Sequence, residues 1–353
     1  MKKILFVVGT RPEIIKTASV MQELGKMSGF SVSVCLSGQH ISMVEQMMKD
    51  FDIDLKYDLK IMKEDQTLVD IAKNLMPKLD EVYEELKPDM VFVQGDTTTA
   101  FIAAFLASCK KIKIAHIEAG LRTFDKHFPF PEEMNRTLIS RLADRHFAPT
   151  RVARENLIAE GVKAKDIVVT GNTGIDSLKY IIGKEYPFID EDLRKISVGK
   201  KVILLTAHRR ENFGPPMEDI FEAVRDIALE HEDVLVVYPV HPNPNVTKPA
   251  FRMLAGIDNI MLLGSLHYRD LVKLMALSYM IITDSGGIQE EAPSIGKPVL
   301  ILRGKTERPE AIRAGCARIV GTDRKVIVRE TERLLKNGRT YKKMSVPRDV
   351  FGT

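Results

Sequence analysis

Thr283-Asp284-Ser285-Gly286-Gly287-Ile288-Gln289-Glu290-Glu291 follows an apolar run, Met280-Ile281-Ile282, and precedes Ala292-Pro293. The pattern predicts a strand, a tight glycine turn and the first turn of a helix. Gly286 and Gly287 allow backbone N–H groups to approach a ligand closely. A helix start adds unpaired donors and the positive end of the dipole, which suits a phosphate or diphosphate. Glu290 and Glu291 stand where a carboxylate could take a pair of ribose hydroxyls. A capped helix with two dipole-favoured glutamates accounts for the same residues without a ligand.

A second set of residues could move protons. Gly95-Asp96-Thr97-Thr98-Thr99 follows the apolar run Met90–Val93, and His116-Ile117-Glu118 ends the next one. Strand alternation would put His116 and Glu118 on one face. Asp96 is also placed to be the N-cap of a helix over Thr98–Cys109. Phe130-Pro131-Glu132-Glu133 comes shortly after, with Asn135-Arg136. Asp96, Glu118 and Glu132 thus sit at consecutive strand ends or loops, and carboxylates gathered around one point raise some of each other's pKa values. Gly9-Thr10-Arg11-Pro12-Glu13 has capping-box spacing with proline in the first turn, so Arg11 lies at a helix mouth and Lys16 about a turn on. Two such cations can hold an anion; Arg11 paired to a carboxylate and a solvated Lys16 is the other outcome. In the second half, His208-Arg209-Arg210-Glu211-Asn212, Tyr238-Pro239-Val240-His241 and Thr306-Glu307-Arg308 each follow an apolar run. Arg or His there suits phosphate, and His208 could shuttle a proton.

The elements that must position these groups alternate from end to end. Predicted strands are Ile4–Val8, Val32–Leu36, Met90–Val93, Lys113–Ile117, His146–Ala148 and Ile167–Val169. A charged interval over Gly183–Lys200 follows, then Val202–Leu205, Val234–Tyr238, Ile260–Leu263, Met280–Ile282, Val299–Leu302 and Ala317–Val320. Strand–helix alternation means parallel sheets covered by helices on both faces. Two series predict two Rossmann-like, doubly wound domains, 1–172 and 173–353, with ligand beyond the carboxyl ends of the strands in a central cleft. Gln66–Leu86 is spaced for one helix face, with Pro77 expected to kink or split it.

Composition excludes several classes. The 353 residues carry 44% hydrophobic and 28% charged side chains, ordinary for a globular protein. A net charge of +4, without a Lys/Arg block interleaved with aromatics, gives no basis for a nucleic-acid partner. Apolar runs are strand-length, so no membrane span is expected. Met1–Val8 is too short for a signal peptide and no cleavage pattern follows, which predicts a cytoplasmic protein. Cys35, Cys109 and Cys316 lie far apart in apolar settings and read as reduced core thiols. No spacing among the eight histidines fits a metal site. A nicotinamide cofactor is not indicated either: Gly9-Thr10-Arg11-Pro12 has one glycine, and the Tyr83/Lys87 and Tyr180/Lys184 pairs are near chance.

Taken in order, these motifs, with Val169-Thr170-Gly171-Asn172-Thr173, resemble the non-hydrolysing UDP-N-acetylglucosamine 2-epimerases over nearly the whole chain. The resemblance implies a GT-B-like fold, a homodimer and no cofactor. It implies reversible conversion of UDP-GlcNAc to UDP-ManNAc through elimination of UDP to 2-acetamidoglucal, supplying sugars for surface polysaccharide. By motif position it gives Asp96, Glu118 and Glu132 jointly the acid–base roles, with His208 aiding proton handling or the leaving diphosphate. Arg11 and Lys16 would neutralise that diphosphate. Ser285, Gly286 and Gly287 would bind phosphate, Glu291 the ribose, and Arg209, Arg308 and His241 the phosphates or nearby groups.

Two departures stand out. Gly304-Lys305 replaces the family's acidic residue and threonine. Gln39-His40-Ile41-Ser42 keeps only the start of the motif that binds a second, activating substrate molecule, although Gln66, Arg210 and His241 are present. The family also continues with a helix beyond the position of Thr353. Competing readings are action on another UDP-2-acetamido sugar, a hydrolysing 2-epimerase, a GT-B glycosyltransferase, and a nucleotide-sugar sensor without catalysis.

Overall fold

In the computed structural model the described residues are 1–38, 41–61, 66–196, 199–306 and 308–352, side chains of 41–43 and 45 excepted. The chain folds into two compact units, Met1–Tyr180 with Phe351–Thr353, and Ile181–Val350. The division anticipated after residue 172 falls at the start of a helix, Thr173–Ile182, whose first eight residues belong to the first unit. Ser177 Oγ donates to the carbonyl of Ile15 there, and the Asn172 N–H donates to the carbonyl of Phe351 at 2.8 Å.

The first unit runs β1 (Lys2–Val8), α1 (Arg11–Lys26), β2 (Phe30–Leu36), α2 (Ile41–Asp50), β3 (Tyr57–Asp58), α3 (Leu68–Leu86), β4 (Met90–Gln94), α4 (Thr98–Cys109), β5 (Lys113–Ile117), α5 (Glu132–Leu142), β6 (Arg145–Ala148), α6 (Arg151–Ala159), β7 (Ile167–Val169) and α7 (Thr173–Ile182). Its strands pair in the order β3-β2-β1-β4-β5-β6-β7, all parallel. The second runs β8 (Lys201–Thr206), α8 (Pro215–Glu230), β9 (Val234–Pro239), α9 (Pro244–Leu254), β10 (Ile260–Leu263), α10 (Tyr268–Leu277), β11 (Met280–Thr283), α11 (Gly286–Ser294), β12 (Val299–Ile301), α12 (Pro309–Arg313), β13 (Ala317–Ile319), α13 (Arg324–Lys336) and α14 (Gly338–Met344). Its order is β10-β9-β8-β11-β12-β13, again parallel. All twelve expected strands are present; β3, a two-residue edge strand, was not anticipated.

Both sheets are covered on two faces, which is why their strands read as unbroken apolar runs. Leu5, Val7, Val91 and Val93 pack under α3 and α4 in the first unit, and Ile203, Leu205, Val236 and Ile282 under α8 in the second, all essentially inaccessible. Helix α3 runs unbroken through Pro77, so the expected split does not occur. Its apolar face, Leu75, Leu79, Val82 and Leu86, outweighs the lost hydrogen bond by burial. Among the described residues no helix is long and apolar enough to cross a membrane. Cys35 and Cys316 are buried as expected, whereas Cys109, the last residue of α4, is exposed. That corrects its reading as a core thiol.

Candidate functional site

In each sheet the strand order reverses between the first strand of the unit and a later neighbour, β1 beside β4 and β8 beside β11. Loops leaving such a pair diverge and open a crevice at the carboxyl ends. In the first unit these loops carry Gly9–Thr10, with Arg11 opening α1, and Gly95–Asp96. Glu13, fully buried in the first turn of α1, accepts from the N–H groups of Gly9 at 3.0 Å and Thr10 at 2.7 Å, and from Thr97 Oγ1 at 2.8 Å. Burial pushes its carboxyl up to about 7 against the pull of those hydrogen bonds. Gly95, at φ 69°, turns its carbonyl onto His116 Nε2 at 2.7 Å. His116 is buried and pushed down to about 3, chiefly by desolvation, so it serves as a neutral tie between strands.

Asp96 is not the helix cap: Thr97 caps α4, accepting from the Ala100 N–H. Asp96 instead pairs with Arg136 of α5, while Asn135 Nδ2 donates to its carbonyl at 2.9 Å. Burial raises the Asp96 pKa, Arg136 and Lys16 oppose the rise, and Glu132 adds to it. Glu118 lies one residue past the end of β5 with φ 64°. Strand alternation therefore stops before it, and the shared face expected for His116 and Glu118 is not found. The left-handed backbone of a glutamate costs on the order of 1 kcal/mol. It turns the carboxylate onto Lys16, and the two form a half-buried ion pair, so Lys16 is not a solvated cation. Glu132 opens α5 beside Asp96, whereas its neighbour Glu133 turns inward and accepts from the N–H groups of Thr123 at 3.1 Å and Phe124 at 3.0 Å. Arg11 sits at the first position of α1, its pKa lowered by burial. Three carboxylates and two cations, Lys16 and Arg136, thus gather at one switch point. Arg122, four residues beyond Glu118, is structural: it binds Glu160 through Nε at 2.6 Å and Nη2 at 2.8 Å.

The second switch point has a different character. Ser285 precedes α11 without making a side-chain cap, leaving the helix's first N–H groups to other acceptors. A Cβ on Gly286 would lie 2.7 Å from the Arg308 guanidinium, so only glycine lets that arginine pack over the turn. A Cβ on Gly287 would meet nothing within 4 Å, so no described residue demands glycine there. Arg308 is held by Glu290, and its N–H donates to Thr306 Oγ1 at 3.2 Å; Thr306 in turn donates to the buried Gln289 at 2.6 Å. Glu291 faces the Tyr268 hydroxyl at 3.5 Å. Burial, then the Glu291 charge, hold that hydroxyl well above its usual pKa, so it stays a donor. After β8, His208 stacks on His241 with centroids 5.4 Å apart and planes 13° apart. Arg209 Nε is buried without a hydrogen-bond partner among the described residues. Such a loop, helix end and arginine pair can hold a diphosphate.

Sequence reasoning missed Glu13, Arg136, Asp284 and Gln289 as members of these clusters, and it set Glu290 beside a ribose, whereas the structure pairs it with Arg308. Their residue types were in view, but their partners lie up to 84 positions away, as in Thr97 to Glu13. Of the regulatory candidates, Gln39 and His40 lie outside the described residues. Gln66 donates to the Ile61 carbonyl at 3.0 Å and Arg210 is exposed.

A family model described as UDP-N-acetylglucosamine 2-epimerase matches residues 22–353. The chain is similar to the UDP-N-acetylglucosamine 2-epimerase of Bacillus subtilis strain 168, 47% identical over 353 residues, with 99% of this chain and 91% of the relative covered. It is similar to that of Escherichia coli K12, 46% identical over 363 residues, with 99% and 95% covered. Among solved structures it is similar to UDP-GlcNAc 2-epimerase from Neisseria meningitidis bound to UDP-GlcNAc, with a TM-score of 0.89, 43% identity, and 99% and 96% covered. The two parallel-sheet units fit the GT-B-like class expected from the sequence. Motifs, strand order and likeness over the whole length agree, and the chain belongs to the UDP-N-acetylglucosamine 2-epimerase family, a family of isomerases.

Proposed function

We propose that this chain interconverts UDP-GlcNAc and UDP-ManNAc without releasing free sugar. The observation that carries the reading is the cluster of Asp96, Glu118 and Glu132 with Lys16 and Arg136, in which Asp96 is raised by burial and Glu118 is held in a strained backbone. The C2 hydrogen of the sugar becomes acidic only as the C1–O bond to the diphosphate breaks and positive charge builds at C1. One carboxylate takes that proton, the C–H electron pair becomes the C1=C2 bond of 2-acetamidoglucal, and the C1–O pair leaves with UDP. A protonated carboxyl then returns a proton to the other face of C2, and the diphosphate oxygen bonds C1 again. Two faces require more than one carboxylate, and the roles are shared jointly among the three.

Arg11 and Lys16 stabilise the departing charge, and His208 assists it. Ser285, Gly286 and Gly287 receive phosphate, Arg209, Arg308 and His241 support it, and Glu291 takes the ribose hydroxyls. The UDP-GlcNAc bound to the Neisseria meningitidis relative supports a UDP-sugar as the substrate. We infer in addition a homodimer, a cytoplasmic enzyme and a role in supplying surface polysaccharide; light scattering tests the first.

Incubation with UDP-GlcNAc in deuterated water, without cofactor, is the decisive measurement. Deuterium at C2 of UDP-ManNAc is the expected result. Free ManNAc would assign the hydrolysing reaction, and no exchange would leave a transferase or a sensor.

A further inference from the structure

We propose that Asp284 is the positioning residue for His208, fixing both the loop that carries it and the proton on its ring. Asp284 is wholly buried at the end of β11. Its Oδ2 accepts from the N–H groups of His208 and Arg209, both at 2.8 Å, and from Asn212 Nδ2 at 3.1 Å. Asn212 also donates to the Leu302 carbonyl at 3.1 Å, so the loop is fastened to two neighbouring strands at once. Three donors on one oxygen leave Oδ1 for another task. It takes no hydrogen bond among the described residues and lies 3.4 Å from His208 Nδ1. That is just beyond hydrogen-bond length, and a small ring rotation closes it when Nδ1 carries hydrogen.

A buried carboxylate beside Nδ1 selects the tautomer with its proton there. Nε2 is left as the atom that gives or takes a proton toward the diphosphate. The ring is one-third exposed, so Nε2 remains reachable. Three groups set its charge. Burial favours the neutral ring, the stacked His241 and neighbouring Arg209 push the same way, and Asp284 alone favours the cation. Asp284 therefore lets His208 be protonated as the diphosphate leaves, in surroundings that otherwise forbid it.

The inference rests on the epimerase reading for the reaction measured, and the test separates the two. Asp284→Asn keeps the shape and can still accept the loop's hydrogen bonds, but removes the charge. Expected is a fall in kcat of about 100-fold, the size of a lost acid–base contribution, with KM for UDP-GlcNAc nearly unchanged and the pH–rate profile displaced on the His208 limb. In His208→Asn, adding Asp284→Asn should cost little more, since both act through one ring. Nitrogen-15 imidazole spectra of the unmutated protein, assigned with His208→Asn, should show the Nδ1–H tautomer; this reading survives even if the Asp284 variant does not fold. An Nε2–H tautomer, or an Asp284→Asn enzyme with ordinary kcat and profile, overturns the inference. Full activity in His208→Asn instead removes His208 from the reaction and leaves the tautomer measurement to decide the role of Asp284.

Discussion

The two units share a strand order and line the equivalent crevice with different side chains. In both, a buried carboxylate ties down the amides that follow the first strand. Glu13 does this for Gly9 and Thr10, and Asp284 for His208 and Arg209. Glu13 comes from the following helix and Asp284 from the neighbouring strand. The first arrangement occupies the amides that a dinucleotide-binding loop would offer to a pyrophosphate, and surrounds the crevice with acids. The second leaves the start of α11 uncapped and adds arginines. Topology provides a crevice, and the charge of the residues at its rim decides whether it suits proton transfer or an anion.

Removing the acids should break the first half of that contrast most severely. Asp96→Asn and Glu118→Gln are each expected to lower turnover by about 100- to 10,000-fold, while calorimetry shows UDP still bound. Near-ordinary turnover in either variant would remove that residue from the chemistry.

Glu13 probes the tie itself through stability. Burial holds its folded carboxyl at about 7 rather than the ordinary 4.5, so between these values the folded state holds more protons than the unfolded state. Its contribution is therefore full below about pH 4.5 and is lost as pH rises through 7, by on the order of 3 kcal/mol. Urea melts of Glu13→Gln should lack this decline, gaining on the parent protein between pH 5 and pH 8. Parallel curves would show that the buried acid does not titrate as described.

On the anion side, Gly286→Ala puts a methyl into the Arg308 guanidinium. It should weaken UDP binding about 10- to 100-fold, the worth of a charge-assisted hydrogen bond. Gly287→Ala meets only open space, so Tm should hold while UDP affinity falls; unchanged affinity would mean that no phosphate comes close there. The smallest effect is expected at the exposed Arg210. Arg210→Ala should keep kcat within about two-fold, and the shape of its rate–substrate curve tests whether a second substrate molecule acts through this residue.

Much of this was legible in one dimension. Parallel strands covered on both faces are short apolar runs, so twelve of them could be placed from sequence. Edge strand β3 could not, because Tyr57–Asp58 is too brief to show a pattern. Helix α4 is apolar on nearly every side, so no periodicity told which face carries Cys109 to the surface. Chemistry-bearing motifs were visible as residue types at strand ends. Which acid pairs with which base was not.

The sequence by itself determined the alternation, the two doubly wound sheets, the family, and the loops that carry the polar groups, because hydrophobic period and turn chemistry are local properties. Tertiary structure alone decided that Asp96 meets Arg136, that Lys16 meets Glu118, that Glu118 adopts a left-handed backbone, and that Asp284 lies beneath His208. Those outcomes depend on distances between segments remote along the chain and on the water that burial removes around them, and desolvation has no signature in a run of letters.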